Sequence, residues 1–291
     1  MYTKDINNNT ANADNCIESL KGIIASAMQP VTEHGGIPFV ALEERYSVRD
    51  LENLLPVPSR KRGDIQTGDS ESFIFYMNRH GAQDKSVIYA DVDTEKGKLN
   101  LCGVIDDHTA KQPAWRGHLC RLEPKLSVEW KRWRGDNKRN FSQSDFAAWL
   151  EENLPDIATV EGMPTGAEML QMALEFEANA EKRLRSKTNL QSGGVQFEFV
   201  DDETKDTRTR MRVFERFTIG IPVFYGSSSA YPIEARLKYR VKDGVVMFWY
   251  ELIRPDRVFK TAVDEELAKI KDATKMSVIL GNPGLDDDDE D

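Results

Sequence analysis

Asp91, Asp93, Asp106, Asp107, His108 and His118 cluster residue types that a hydrolytic metal centre uses, and with His80 they allow a site of four: His80, Asp106, His108 and His118. Carboxylates and imidazoles held together can bind a divalent ion that activates water. Strand geometry limits which of them can meet. If residues 94–97 close a hairpin with Asp93 opposite Lys98, then Asp91 faces Asn100 and Asp106 faces Lys85. Asp91 and Asp106 are then roughly 20 Å apart along the strand and cannot share an ion. At the other end, Asp106 and His108 lie on one face at i and i+2, His80 falls in the same register, and His118 comes from the next strand. The competing interpretation makes all four hydrogen-bonded turn and strand-end residues, because no spacing of the HExxH kind is present.

A second chemistry is suggested by Trp130-Lys131-Arg132-Trp133-Arg134, followed by Lys138 and Arg139. Cations can neutralise phosphates while indole faces stack on unpaired bases. Alternation along a strand would send one of Trp130 and Trp133 to each face, so at least one belongs to the core. Arg208, Arg210 and Arg212 recur at period two, with Met211 and Val213 on the other face. Such a row is either the solvated side of a half-buried strand or a positive strip for phosphate or for an acidic segment of the same chain. Residues 226–230 lack the second glycine of a nucleophile elbow, and there is neither a Walker loop nor a GxGxxG. No catalytic motif and no cofactor follow from the sequence.

The elements that would position these residues read as follows. A polar leader, 1–15, precedes a short helix carrying Ile17, Leu20, Ile24 and Met28. A two-turn helix follows, with Ser47 and Asp50 as a capping box and Leu51, Leu54 and Leu55 as its apolar face. Residues 59–70, with Arg60, Lys61 and Arg62, read as an exposed basic loop. Period-two patterning then predicts an antiparallel meander over 73–77, 86–92, 99–105, 115–122 and 127–133. Helices are predicted from Ser142, ended by Pro155, and from Thr165, capped by Glu168, with an apolar stripe running to about Lys187. A second β region covers 195–200, 208–219, 233–241 and 245–252, the last two joined by Lys242-Asp243-Gly244. A helix opened by Thr261 and Asp264 leads to a final strand over 276–280.

The fold class is therefore α+β: two antiparallel β regions separated by a helical segment, with short N-terminal helices and a disordered acidic tail. The organisation expected is a leader over 1–15, α+β lobes over 16–155 and 165–281, and a tail over 282–291. Three cysteines, Cys16, Cys102 and Cys120, form no CxxC pair, which argues against a disulfide framework and fits a reducing cytoplasm. No uninterrupted apolar run is long enough to span a bilayer, so no membrane partner is expected. Formal charge is −10, and setting aside the six acidic residues Asp286–Asp291 leaves −4 on the rest. Such a run repels itself and stays solvated; it serves as a solubilising tail, a lid over a basic patch, or a handle for a basic protein partner.

Several blocks resemble the YfdQ-like family of uncharacterised phage and prophage proteins: residues 103–108 (GVIDDH), 113–118 (PAWRGH), 129–133 (EWKRW), 221–224 (IPVF) and 250–257. The resemblance runs from about Ser70 to Gly281. It implies a phage accessory gene in a bacterial host cell and carries over no catalytic residues. The function expected is a non-enzymatic accessory protein that self-assembles into a homo-oligomer, because 245–250 is apolar on both faces and must be covered on both. The alternatives are a factor that binds single-stranded nucleic acid in phage recombination or replication, and a metal-dependent hydrolase.

Overall fold

A computed structural model describes residues 18–22, 52–178, 183–189, 194–202, 205–242 and 245–285. The chain divides into two compact units, Met1–Arg60 and Lys61–Asp291. In the first, residues 18–22 are helical, and a 3₁₀ turn at Glu52–Leu54 is followed by Ser59, whose amide donates to Glu52 Oε1 at 2.8 Å. The leader, Ser47 with Asp50, and the acidic run 286–291 lie outside the described residues.

The second unit begins with β1 (Gly63–Thr67) and α1 (Ser70–His80), then β2 (Val87–Asp93), β3 (Lys98–Val104) and β4 (His118–Leu122). Helix α2 (Val128–Gly135), β5 (Phe141–Ser142), α3 (Gln143–Glu152) and α4 (Gly166–Ala178) follow. Next come β6 (Arg183–Asn189), β7 (Gly194–Asp202), β8 (Lys205–Phe214), β9 (Arg216–Ile221), β10 (Tyr231–Lys242) and β11 (Val245–Leu252). Helix α5 (Pro255–Thr274) and β12 (Ser277–Leu280) complete it. The class is α+β.

The first β region is not a pure antiparallel meander. Its five strands run β1-β4-β3-β2-β12, and both outer pairs, β1 with β4 and β12 with β2, are parallel. The inner pairs are antiparallel, and the predicted register holds: Asp93 faces Lys98 and Asp91 faces Asn100 across a turn in which Gly97 takes φ +69°. A second sheet, β5-β11-β10-β9, and a third, β6-β7-β8, are antiparallel throughout. The hairpin predicted at 242–245 is present, with Lys242 opposite Val245.

Two predicted strands are helices, for the same reason. Over 73–77 the buried residues are Phe73 and Met77, one turn apart, while Phe75 is exposed; Asp69 caps the start by accepting from the Ser72 amide at 2.8 Å. In α2 the Ser127 hydroxyl accepts from the Trp130 amide at 2.9 Å, and Trp130 and Trp133, three apart, share the inner face. The strand expected from Trp115 begins only at His118, and part of the supposed loop 59–70 is β1. The expected long helix gives way to β6 by Arg183, Glu215 interrupts the strand expected over 208–219, and α5 starts at Pro255, six residues before Thr261. The caps at Ser142 and Thr165 form as predicted, the latter reciprocal, with Glu168 Oε2 accepting from the Thr165 amide at 2.8 Å.

Phe73 and Met77 press α1 onto one face of the five-stranded sheet so closely that a side chain at Gly103 would collide with Met77. That core continues through Trp130 and Trp133 to Phe217, Phe248, Tyr250 and Phe259, so residues of both expected lobes share it. The opposite sheet face is crossed near one end by 281–285. The Gly281 amide donates to Ala90 O at 2.8 Å, and Leu285 packs with Tyr89 against Cys102, Val104 and Leu119. Among the described residues no helix is long and apolar enough to cross a membrane.

Candidate functional site: a fixed loop and a lysine cleft

The five-stranded sheet presents two distinct surfaces at its two ends. One is the β3–β4 connection, residues 105–117. Asp106 uses both carboxylate oxygens on backbone: Oδ1 accepts from the His118 amide at 2.9 Å and Oδ2 from the Gly117 amide at 3.1 Å. His108 Nδ1 accepts from the Ala114 amide at 2.8 Å, and Thr109 and Gln112 close a turn between them. Beneath the loop, Asp107 is paired with Arg116, Nε to Oδ1 at 2.9 Å, and accepts from the Tyr89 hydroxyl at 2.8 Å. The ion pair is close, although the Arg116 Nε–H is not aligned as a hydrogen bond. Arg116 also donates through Nη2 to Pro283 O at 2.9 Å. It holds a left-handed backbone, φ +53°, which is uncommon for a residue with a side chain. The result is an inverted arrangement: the arginine is tucked in and the neighbouring Trp115 is 80 % exposed.

Beside this loop, His80 and His118 approach with ring centroids 5.5 Å apart, and His118 Nε2 is hydrogen-bonded to the Tyr76 hydroxyl at 2.8 Å. Burial lowers the pKa of both histidines, helped by Lys61 and Arg79 at His80 and by His80 itself at His118. Of the four predicted metal ligands the fold therefore brings two together, while Asp106 and His108 serve the loop backbone. Among the described residues no three His, Cys, Asp or Glu side chains gather so as to hold a metal. A cysteine nucleophile fares no better: burial pushes the Cys120 thiol up to about 12 and raises Cys102.

The basic stretch in and after α2 is sorted by the helix. Trp130 and Trp133 are both buried, Trp133 packing edge-on against Trp149 at 4.4 Å, so neither can stack on a base. Arg132 donates to Asn153 Oδ1 at 2.6 Å, and Arg139 pairs with Asp136 at 2.8 Å while lying over Phe141. Lys138 sits in a left-handed turn whose amide donates to Tyr250 O at 2.9 Å. Lys131 instead lines a cleft of about 510 Å³ at the end of the sheet opposite the loop, with Lys98 and Lys125 as further walls beside Gly68 and Gly97. Arg134 lies against Gly97 and donates to Glu95 O, at the rim of the same cleft. Glu123 is the one carboxylate lining it, 3.9 Å from Lys98. Arg208, Arg210 and Arg212 lie on β8 opposite Val200, Glu198 and Gln196 of β7; their side chains fall outside the described residues.

Sequence reasoning missed Trp115, Lys98 and Lys125. Pro113 and Gly117, which bracket Trp115, signal a loop rather than a strand start. Lys98 and Lys125 are far from Lys131 in sequence or hidden in ordinary turns, and only the fold joins them. Fold and surface together define an α+β protein with a cationic cleft at one end of a mixed sheet and a fixed aromatic loop at the other. The chain belongs to an uncharacterised conserved protein family, DUF2303, which it matches over residues 12–283. No curated protein matches it.

Proposed function

We propose that this is a non-enzymatic accessory protein that binds single-stranded nucleic acid through the cleft formed by Lys98, Lys125 and Lys131. The carrying observation is that three lysines, Lys98, Lys125 and Lys131, line one cavity with a single carboxylate, Glu123, among them. Like charges so placed repel one another until an anion neutralises them, and a phosphodiester chain supplies that charge at regular spacing. The cleft is lined by flexible, exposed lysines rather than by base-reading pockets, which favours binding to the backbone without strong sequence preference. Resemblance to the YfdQ-like proteins supports a phage or prophage setting. On this reading the acidic run Asp286–Asp291 competes for the same cations, so its deletion raises affinity, most of all at low salt.

The test is a salt titration of a fluorescent oligothymidylate by anisotropy, with wild type and a Lys98→Gln/Lys125→Gln/Lys131→Gln variant. Each phosphate neutralised on a single strand contributes about −0.7 to the slope of log K against log salt, so losing three contacts flattens the slope by about 2. Absence of wild-type binding even at low salt, or equal slopes for both proteins, would sink the reading.

A second reading, self-association, is favoured by β12. This edge strand, Ser277–Leu280, has no charge or proline to guard it and exposes Ile279 and Leu280. Light scattering after size-exclusion chromatography reporting a 33.1 kDa monomer removes it.

A further inference from the structure

The lysine cleft has an aromatic neighbour, whose role rests on the cleft reading and deepens it. We infer that Tyr225 is a stacking face for an unpaired base beside the cleft, and that it is the residue by which this site tells a single strand from a duplex. Residues 222–227 form a loop stitched to the segment that carries Lys125. Leu126 pairs with Phe224 in an antiparallel bridge, the Ser127 amide donates to Val223 O at 2.9 Å, and the Tyr225 amide donates to Lys125 O at 2.7 Å. That register sets Tyr225 opposite Lys125, and directly opposed residues share a face with Cβ atoms about 5 Å apart. Ser127, which caps α2, also donates its hydroxyl to Pro222 O at 2.6 Å, so the helix bearing Lys131 is tied to the same loop. Val223 and Phe224 are buried anchors, whereas Tyr225 is 76 % exposed. Among the described residues neither its ring nor its hydroxyl is engaged in a ring contact or hydrogen bond.

The turn that displays the ring is itself fixed. The Ser227 amide donates to Phe224 O at 3.2 Å, closing a β-turn with Tyr225 and Gly226 at its centre, and Gly226 takes φ +77°, the sign a type II turn demands at its third residue. A ring held on a tight turn pays less ordering cost when a ligand reaches it. The residues that follow are Gly226 and three serines, small side chains that bring no bulk beside it. Lysines alone respond to phosphodiester charge, which single strands and duplexes both carry. The phenol ring adds a contact that a duplex cannot make, because its bases are already paired and stacked on one another, whereas every base of a single strand has a face to offer. In one nucleotide only the sugar separates phosphate from base, so a phosphate at Lys125 puts its base within reach of the residue opposite. The alternation of cation and aromatic face across 125 and 225 therefore matches the alternation of charge and ring along the strand.

The experiment titrates the full chain into a fluorescent oligothymidylate, and into the same oligonucleotide annealed to its complement, for wild type, Tyr225→Ala and Tyr225→Phe, with anisotropy as the readout. Tyr225→Ala is expected to lose about five- to a hundred-fold in affinity for the single strand and to bind the duplex as wild type does, so that the preference between them disappears. Tyr225→Phe keeps most of the affinity, since the ring and not the hydroxyl makes the contact. The salt slope of Tyr225→Ala stays at the wild-type value, because stacking neutralises no phosphate, in contrast to the flattened slope of the lysine variant. Thermal melts of both tyrosine variants should match wild type, as the side chain is exposed. Single-strand affinity untouched by Tyr225→Ala overturns the stacking role and leaves the cleft reading standing. Equal losses for single strand and duplex also overturn it, in favour of a disturbed Lys125. Absence of wild-type binding to either ligand defeats the cleft reading itself.

Discussion

Helix α2 and the loop 105–117 contain the same residue types and sort them in opposite ways. In α2 the tryptophans go in and the cations out; in the loop Arg116 goes in and Trp115 out. A helix imposes its sorting through periodicity, since residues three apart share a face, and two indoles outweigh the intervening cations for the buried side. A loop has no period, and its sorting is set by particular bonds, here Asp107 to Arg116 and Asp106 to the backbone. A helix therefore tolerates surface change, whereas the loop's display of Trp115 depends on two aspartates.

Substitutions separate these two mechanisms. Trp133→Ala should cost the most, about 3–5 kcal/mol by chemical denaturation, because it empties a site packed against Trp149, Phe217 and Tyr250. Asp107→Ala comes next, at about 3 kcal/mol by the same measurement, since it leaves the largely buried Arg116 charge without its carboxylate. A smaller effect attaches to pH. His118 and His80 have depressed folded-state pKa values, so below about pH 6.5 the unfolded chain binds more protons than the folded one, and stability falls as the medium is acidified. Thermal melts of wild type and His118→Gln should diverge in slope across that window, the variant being flatter. Smallest of all, Trp115→Ala should change stability by no more than about 0.5 kcal/mol, because the indole is exposed. A large loss there would mean that the loop packs around its tryptophan rather than displaying it.

The sequence made some of these features legible and hid others for physical reasons. Hairpin registers and the caps at Ser142 and Thr165 were readable because turn and cap chemistry is local. Phe73–Met77 and Ser127–Trp133 were misread because short segments with apolar residues three or four apart also satisfy part of a two-residue alternation. Their caps, Asp69 and Ser127, held the deciding information. The parallel pairing of β12 with β2 joins residues nearly two hundred positions apart, which no local pattern encodes. Among site residues, Lys131 was found by composition, but its partners Lys98 and Lys125 and the exposure of Trp115 follow from tertiary placement alone.

The most direct test of the lysine cleft as a nucleic-acid surface is photo-crosslinking of a short oligothymidylate to the full chain, with the attached peptides identified by mass spectrometry. The account predicts adducts on the segments carrying Lys98, Lys125 and Lys131. Adducts confined to other segments, or none under conditions where the oligonucleotide is in excess, would contradict it.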